Sequence, residues 1–381
     1  MHLAIIGAGA AGLAAARALR QRRPDIRITV FEKSRGLGGR AATRRRDGFI
    51  FDHGAQFFRT PTPELERLVR HDLPADTLRD IGLPVWAFDA AGRIAEGDPA
   101  QNAEPAWTYA DGISRLGKLL GEGLDVRRET RIAQVEDARP LTKDESKPPH
   151  TRALAAPAEA AGDDRPSSIV PRRWSLLDTA GQAHGPFDAL LLTPPAPQTA
   201  DLLAASALDE ALKAPLLAEL RQARYRRCLS LTLAYDRPIA RPFYALVNTD
   251  RAHPIAWLGL EHAKGPERCP PGHSLLLIQM APAFSEAHWD APVESLAPLT
   301  AGLASALLGE DLGAPLWADR QGWRYALPDS GADFETLNAN GAGLYFAGDY
   351  TAGQGRVHLA IASGWRAAEW IAREWPPGDG G

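Results

Sequence analysis

Cysteine is nearly absent: Cys228 and Cys269 are the only thiols in 381 residues. Two thiols cannot build a disulfide framework, and their scarcity fits a reducing compartment. No uninterrupted apolar run reaches the ~20 residues that span a bilayer. The stretch 3–18 is apolar enough to imitate a signal-peptide core, yet it has no basic leader and its glycines fall at fixed intervals. A cytoplasmic protein is therefore expected. An excess of one charge is missing too. Lys and Arg total 43 against 47 Asp and Glu, a net charge of −4, so neither nucleic acid nor a membrane surface is expected as a partner. Lysine is rare, with six in the chain: Lys33, Lys118, Lys143, Lys147, Lys213 and Lys264. No Ser-His-Asp arrangement or carboxylate pair stands out. His262, Cys269 and His273 are separated by loop-like glycines and prolines and lack a fourth ligand, so no metal site is expected. Cys228 lies in an apolar strand and reads as a small core residue.

What is present suffices for a large fold. Hydrophobic residues make up 45% of the chain, and its length points to two domains. The run 3–6 is short, apolar and closed by Gly7, as in a buried parallel strand. A helix is predicted over 13–23, ended by Pro24, and a β-branched strand over 26–31. Together they form a right-handed βαβ unit. Loose alternation predicts strands over 125–136 and 172–178, and a buried strand over 189–192. The middle third carries a helix over 201–220 and strands over 229–234 and 274–280. A last buried strand is expected over 343–346, then a helix over 357–374. Residues 137–171 hold six prolines and no aromatic residue, and are expected to be a mobile insertion. The expected division gives residues 1–70, 105–136, 172–198 and 315–381 to a discontinuous dinucleotide-binding α/β domain. It leaves 71–104 and 199–314 to an α+β substrate domain.

The glycines explain the N-terminal stretch. Gly7-Ala8-Gly9-Ala10-Ala11-Gly12 is a G-x-G-x-x-G pattern between a strand and a helix. Gly7 allows the tight turn, Gly9 admits a pyrophosphate close to the backbone, and Gly12 lets helix and strand pack closely. Glu32, at the end of the second strand, stands where a carboxylate accepts hydrogen bonds from ribose. A second glycine loop follows, Gly36-Leu37-Gly38-Gly39-Arg40. Gly38 and Gly39 permit another backbone approach, and Arg40 offers a charged fork to phosphate oxygens. A plain NAD dehydrogenase has no need of this loop; FAD is the expected cofactor. Far along the chain, Gly348-Asp349 precedes the last helix. Asp349 is placed to accept ribityl hydroxyls, and the helix N-terminus favours the negative charge of a reduced flavin.

The segment Phe51-Asp52-His53-Gly54-Ala55-Gln56-Phe57-Phe58 resembles the FAD-dependent amine oxidases and related desaturases, in which such a segment runs beside the isoalloxazine ring. Within them the chain is most similar to the renalases. Supporting stretches are Trp107-Thr108-Tyr109-Ala110-Asp111-Gly112-Ile113, Phe187 to Pro197, Trp323-Arg324-Tyr325, and Gly348-Asp349-Tyr350 with Gly355-Arg356-Val357. Ile113 stands where the family has Met, and Tyr350 where it commonly has Trp. The resemblance implies cofactor contacts from Gly7, Gly9, Ala11, Gly12, Glu32, Lys33, Gly38, Gly39, Arg40, Ala55, Gln56, Phe57, Ile132, Thr193, Gly348, Asp349, Arg356 and Val357. Substrate-pocket candidates are Gln56, Phe57, Trp257, Trp323, Tyr325 and Tyr350, with Tyr109 as a further aromatic wall. Glu261, His262 and Lys264 form a polar segment on the substrate side.

The resemblance further implies a hydride acceptor for dihydronicotinamide dinucleotides reduced at ring position 2 or 6. Flavin N5 would take the hydride, and oxygen would accept the electrons to give hydrogen peroxide. The alternatives are an amine oxidase or desaturase, for which Lys264 is the one lysine in a plausible pocket segment, and a non-catalytic FAD-binding module. Neither cysteine falls in a flavin motif, so FAD is expected to be held without a covalent bond. Acid precipitation should release all yellow chromophore into the supernatant, as read by absorbance; colour retained in the pellet would contradict this.

Overall fold

The computed structural model describes residues 1–137 and 173–375; the expectation for the 137–171 insertion lies outside them except for Asp137. Five parallel strands form the first sheet, in the order Leu344–Phe346, Ala189–Leu192, His2–Ile6, Arg27–Phe31, Asp125–Arg127. Ile5 sits in register between Leu191 and Val30. Side chains alternate along each strand, so both faces are apolar and both are covered. Leu3 and Ile5 face the helices Ala10–Arg22, Ser114–Leu120 and Val357–Glu374. Ala4 and Ile6 face helices Ala196–Ala204 and Glu210–Leu220 and an antiparallel sheet of Ile132–Asp137, Trp174–Asp178 and Ala183–Phe187.

Two helices from opposite ends of the chain pack against each other on the first face. A Cβ at Gly364 would run into the backbone of Ala11 and Ala15, so glycine is what lets them meet. Gly12 plays the same part against the Gly7 carbonyl.

The second sheet has seven strands, in the order Trp317–Pro328, Tyr225–Tyr235, Ser274–Met280, Ile255–Leu260, Ala245–Asn248, Val85–Phe88, Ile94–Ala95. Leu229, Leu231, Leu233, Leu276 and Ile278 bury one face under the helix Val293–Leu308. The other face receives the hairpin Thr43–Arg46 and Phe49–Asp52, whose Phe49 and Phe51 pack on Ala234 and Leu275.

The strands expected over 189–192 and 274–280, and the helix over 357–374, have those bounds. Elsewhere the structure corrects the expectation. Residues 317–328 pair with Tyr225–Tyr235 in the second sheet and leave the first domain to which they were assigned. Residues 199–223 go the other way, because Ala200, Leu203, Leu216 and Leu220 are buried against the first sheet. The helix expected over 201–220 is two helices. Asp209 caps the second by accepting from the Ala211 amide, which fixes the break. Asp125–Arg127 and Ile132–Asp137, read as one stretch, lie in different sheets. The first helix begins at Ala10, so the glycine motif itself forms its first turn.

Gly364→Val would place a branched side chain where no Cβ fits. Overpacking of this kind costs about 1–3 kcal/mol. The denaturation midpoint should fall accordingly and flavin should be lost more readily; an unchanged midpoint would show that the helices can separate freely.

Candidate functional site

The two glycine loops lie against each other. Gly7, at φ 104°, turns beside Thr193, whose hydroxyl donates to the carbonyls of Ile6 (2.9 Å) and Gly7 (3.0 Å). Thr193, expected to touch cofactor, thus clips the turn to the neighbouring strand. The Gly38 amide donates to Ala8 O at 2.9 Å, and Gly39, at φ 60°, abuts the Cα of Gly9. Gly9 caps the first helix with no side chain and no acid in the first turn, and a Cβ there would meet nothing. Bare amides at a helix N-terminus with open space before them suit a pyrophosphate. The last helix also begins without a side-chain cap, after Arg356. The residues present therefore fit FAD.

The flanking groups differ in role from the expectation. Both Glu32 oxygens accept backbone amides, Oε2 from Ala8 and Oε1 from Ser34, each at 2.8 Å. The buried carboxylate thus holds the two loops together. Arg40 is not a free fork for phosphate. Its Nη2 pairs with Asp349 Oδ1 at 2.7 Å and its Nη1 donates to Ala326 O at 2.9 Å. Tyr225 also donates to Asp349 Oδ1, at 3.2 Å. One oxygen of Asp349 is therefore occupied by this pair, which ties the second glycine loop to the closing motif. Lys33 is exposed and reaches Gln198 at 3.2 Å. Ile132 packs on the core, Ala11 is buried beneath Gly364, and Gly348 donates to Ser363 Oγ at 2.9 Å.

Ala55 is held by its amide on Arg40 O at 2.9 Å. Gln56 is locked beside it, its Nε2 donating to Asp52 O (2.5 Å) and Gly54 O (3.0 Å). Phe57, Tyr244 and Trp257 form a three-sided wall with ring centroids 6.0–6.4 Å apart. The Trp257 Nε1 donor is buried without a partner. Trp323 stacks on His53 at 5.4 Å and 11°, and donates to His53 O at 2.7 Å. Burial, with Arg44 adding to it, brings the His53 imidazole down to about 4. Tyr325 meets Tyr225 edge-on at 5.9 Å. Tyr350 and Tyr109, expected as pocket walls, are instead fully buried in the core. Glycine at 348 leaves room for the Tyr350 ring to turn inward. His262 bonds to the carbonyl of Ile239 and the backbone of Leu275, away from Cys269 and His273.

Sequence reasoning missed the group beneath this wall. Asp52, Glu261, Lys264 and Arg268 all have 0% side-chain exposure. Lys264 Nζ lies 2.9 Å from Asp52 and 2.5 Å from Glu261. Arg268 Nη1 lies 2.9 Å from Asp52 and 3.3 Å from Glu261, and its Nη2 donates to Thr108 and Tyr109 O. Asp52 accepts in addition from Thr43 Oγ1 (2.7 Å) and the Ile113 amide (2.9 Å). Burial alone would raise the Asp52 carboxyl, but Lys264 and Arg268 outweigh it and bring it to about 2. Burial, with Asp52 adding to it, leaves Glu261 raised despite Lys264. Tyr244, over which Lys264 sits at 5.7 Å, is pushed well up by burial and by both carboxylates. The spacing Glu261-x-x-Lys264 places those two on one short turn and was the available signal, but Arg268 belongs to the next turn, beyond the break at Gly265, and could not be read from spacing.

A family model for flavin-containing amine oxidoreductases matches residues 170–372, more than half of the chain. The chain belongs to this family. It is an FAD-dependent oxidoreductase. A model for NAD(P)-binding Rossmann-like domains matches residues 5–72, which hold both glycine loops. Among curated proteins, the coproporphyrinogen III oxidase of Staphylococcus aureus is 36% identical over 81 residues, 21% of this chain and 16% of that protein. A 4,4'-diapophytoene desaturase of Staphylococcus haemolyticus is 41% identical over 61 residues, 16% of this chain and 12% of that one. The aligned stretch is thus a small part of these relatives. Solved structures cover far more. A protein of Exiguobacterium sp. 255-15, provisionally described as a protoporphyrinogen oxidase, aligns with a TM-score of 0.72 at 18% identity, covering 98% of this chain and 99% of that one. Cyclohexylamine oxidase of Brevibacterium oxydans aligns at 0.69 and 13% identity with the same coverage. No helix among the described residues is long and apolar enough to cross a membrane.

Removing one member of the buried cluster should be costly. Lys264→Met leaves two buried carboxylates facing one arginine, and breaking such a pair costs about 3–5 kcal/mol. Unfolding by denaturant should register a loss of that order, and Lys264→Met with Glu261→Gln should recover part of it by restoring neutrality. A loss below about 1 kcal/mol would mean that water reaches the cluster.

Proposed function

We propose that this oxidoreductase takes a hydride from dihydronicotinamide dinucleotides reduced at the 2 or 6 position and returns the oxidised dinucleotide. Bound FAD supplies the hydride acceptor, and oxygen as final acceptor gives hydrogen peroxide. The observation that carries this reading is the position of Lys264. The lysine that an amine-oxidase mechanism would call upon is enclosed between Asp52 and Glu261 with no exposure. The other described lysines, Lys33, Lys118 and Lys213, lie outside the aromatic wall. A pocket whose one lysine is locked in an ion pair suits a reaction that depends on alignment. Hydride transfer from a dihydropyridine needs the donor carbon about 3–3.5 Å from its acceptor, with no prior deprotonation.

The wall supports the same substrate. Phe57 and Trp257, both partly exposed, present flat surfaces for a planar ring, with the buried Tyr244 ring packed behind them. Three polar atoms converge over the bare Cα of Gly259. A Cβ there would lie 2.9 Å from Trp257 Nε1, 3.6 Å from Gln56 Oε1 and 3.7 Å from Tyr244 Oη. The Trp257 Nε1 donor there is left without a partner, while Gln56 Oε1 accepts from Tyr244 at 3.5 Å.

Anaerobic mixing with a panel of donors tests the reading by the bleaching of the flavin band. A 2- or 6-dihydro isomer of NAD(P)H should bleach it fast, ordinary 4-dihydro NADH slowly, and simple amines scarcely. Fast bleaching by a primary amine or polyamine with no response to either isomer would favour amine oxidation instead.

A further inference from the structure

Positive charge collects at the edge of the aromatic wall although the chain as a whole is acidic, at −4. Arg356 stands just before the last helix, and its one side-chain hydrogen bond among the described residues is to Gly355 O, at 3.0 Å. It has no carboxylate partner there. Gly355 is pressed onto the end of the second sheet, where a Cβ would strike the Leu327 side chain. Leu327 is in register with Arg226 on the adjacent strand. The packing therefore brings Arg356 alongside Arg226. From the other side comes Arg59, whose guanidinium lies over the Phe57 ring at 5.5 Å from its centroid. Arg226 and Arg59 do have acidic partners, Asp329 at 2.5 Å and Glu104 at 2.9 Å, but both carboxylates are about half in solvent. Desolvation, then Arg226 and Arg59, hold the Arg356 pKa below its ordinary value. His358, the second residue of the helix, is lowered by burial and then by Arg356 and Arg59.

Beside this arc opens a cleft of about 570 Å³ lined by Tyr225, Arg226, Arg227, Arg324 and Tyr325 with Glu286. Arg324 is exposed and has no partner among the described residues. Tyr225 links the cleft to the cradle through its hydroxyl on Asp349. The arc thus runs from the Phe57 wall, past the start of the last helix, to the Tyr225 end of the second sheet.

We propose that this arc is a phosphate-binding rim, in which Arg356, flanked by Arg226 and Arg59, grips the phosphate groups of the substrate while its ring lies against the aromatic wall. That the phosphate belongs to a dinucleotide rests on the function proposed above. The rim itself rests on geometry. Arg356 has no carboxylate partner among the described residues, and Arg226 and Arg59, tied only to half-exposed carboxylates, add to the positive field around it; an arriving phosphate relieves that repulsion while accepting two parallel N–H bonds from the planar Arg356 fork. The charge also draws an anionic substrate toward the mouth before contact.

Calorimetric titration of the FAD-loaded protein with ADP and with adenosine tests the rim without any turnover. ADP should bind at least tenfold tighter than adenosine, and added salt should weaken it. Arg356→Gln and Arg226→Gln should each weaken ADP by roughly ten- to a hundredfold, as loss of a charged hydrogen bond implies. Arg356→Lys should recover part of the loss. In turnover, both glutamine variants should lower the kcat/KM ratio of dinucleotide to phosphate-free dihydronicotinamide riboside. Equal affinity for ADP and adenosine in the unaltered protein would overturn the rim, as would variants that bind ADP like the parent. Rapid flavin reduction by a dihydro isomer with no ADP binding would overturn the rim and leave the proposed function standing. ADP binding that both variants lose, with no dihydronicotinamide reducing the flavin, would uphold the rim and remove the dinucleotide.

Discussion

The two halves of the molecule are joined by four charges that water does not reach. Asp52 comes from the hairpin that leaves the glycine loops, while Glu261, Lys264 and Arg268 come from the turn after the Ile255–Leu260 strand. Two acids and two bases cancel, and each additional lone pair of Asp52 is taken by Thr43 and the Ile113 amide. Isolated, any one of them would be strongly disfavoured in so dry a place. Together they demand one geometry, because displacing either half strands a charge. A hydrophobic contact of equal area would hold the halves as firmly yet tolerate sliding. The ionic cluster fixes register as well as distance.

That register reaches the pocket through the backbone of Asp52. Its carbonyl accepts from Gln56 Nε2, so the side chain that lies beside the wall is aimed by the residue that anchors the cluster. Tyr244 connects the same two regions from the other side. Its ring lies beneath Lys264, its edge meets Phe57 and Trp257, and its hydroxyl faces Gln56 Oε1 at 3.5 Å. The raised pKa of Tyr244 keeps the phenol a donor rather than an anion. The wall is therefore pre-set before any ligand arrives, and pre-set alignment lowers the barrier of whatever reaction the pocket holds.

The parts of the fold that were legible in the sequence share one property: their signals are local. Gly7, Gly9 and Gly12 report a turn, an approach and a helix contact within six residues, and the run Ala189–Leu192 declares a buried strand by its own composition. The parts that were not legible depend on partners far away. Nothing within 317–328 says that it pairs with Tyr225–Tyr235. Tyr350 looks like a pocket wall from its neighbours in sequence, and only the space left by Gly348 turns it inward. Arg40 and Asp349 each read as cofactor ligands, and each is a reasonable one by chemistry; their meeting across 309 residues could not be seen from either end. Asp52 lies within a flavin motif and Lys264 in a pocket segment, but their ion pair is a tertiary fact.

The Arg40–Asp349 pair also explains why the first and last segments must be in one chain. The first sheet needs Leu344–Phe346 at its edge, and the first helix needs Gly364 against it. Either contact alone would dock the C-terminal segment as a lid. The ion pair adds a third point, on the side where the second glycine loop lies, and Glu32 fixes that loop to the first by accepting from both. Three points define a plane. A cofactor held across it is bound by backbone from both ends of the sequence, so its release requires separating segments that also carry the core. The expectation of FAD held without a covalent bond concerns the two cysteines. Cys228 lies in the Tyr225–Tyr235 strand and Cys269 packs against Phe49 and Phe51, and burial pushes their thiols up to about 11 and about 12. Thiols so placed are poor nucleophiles.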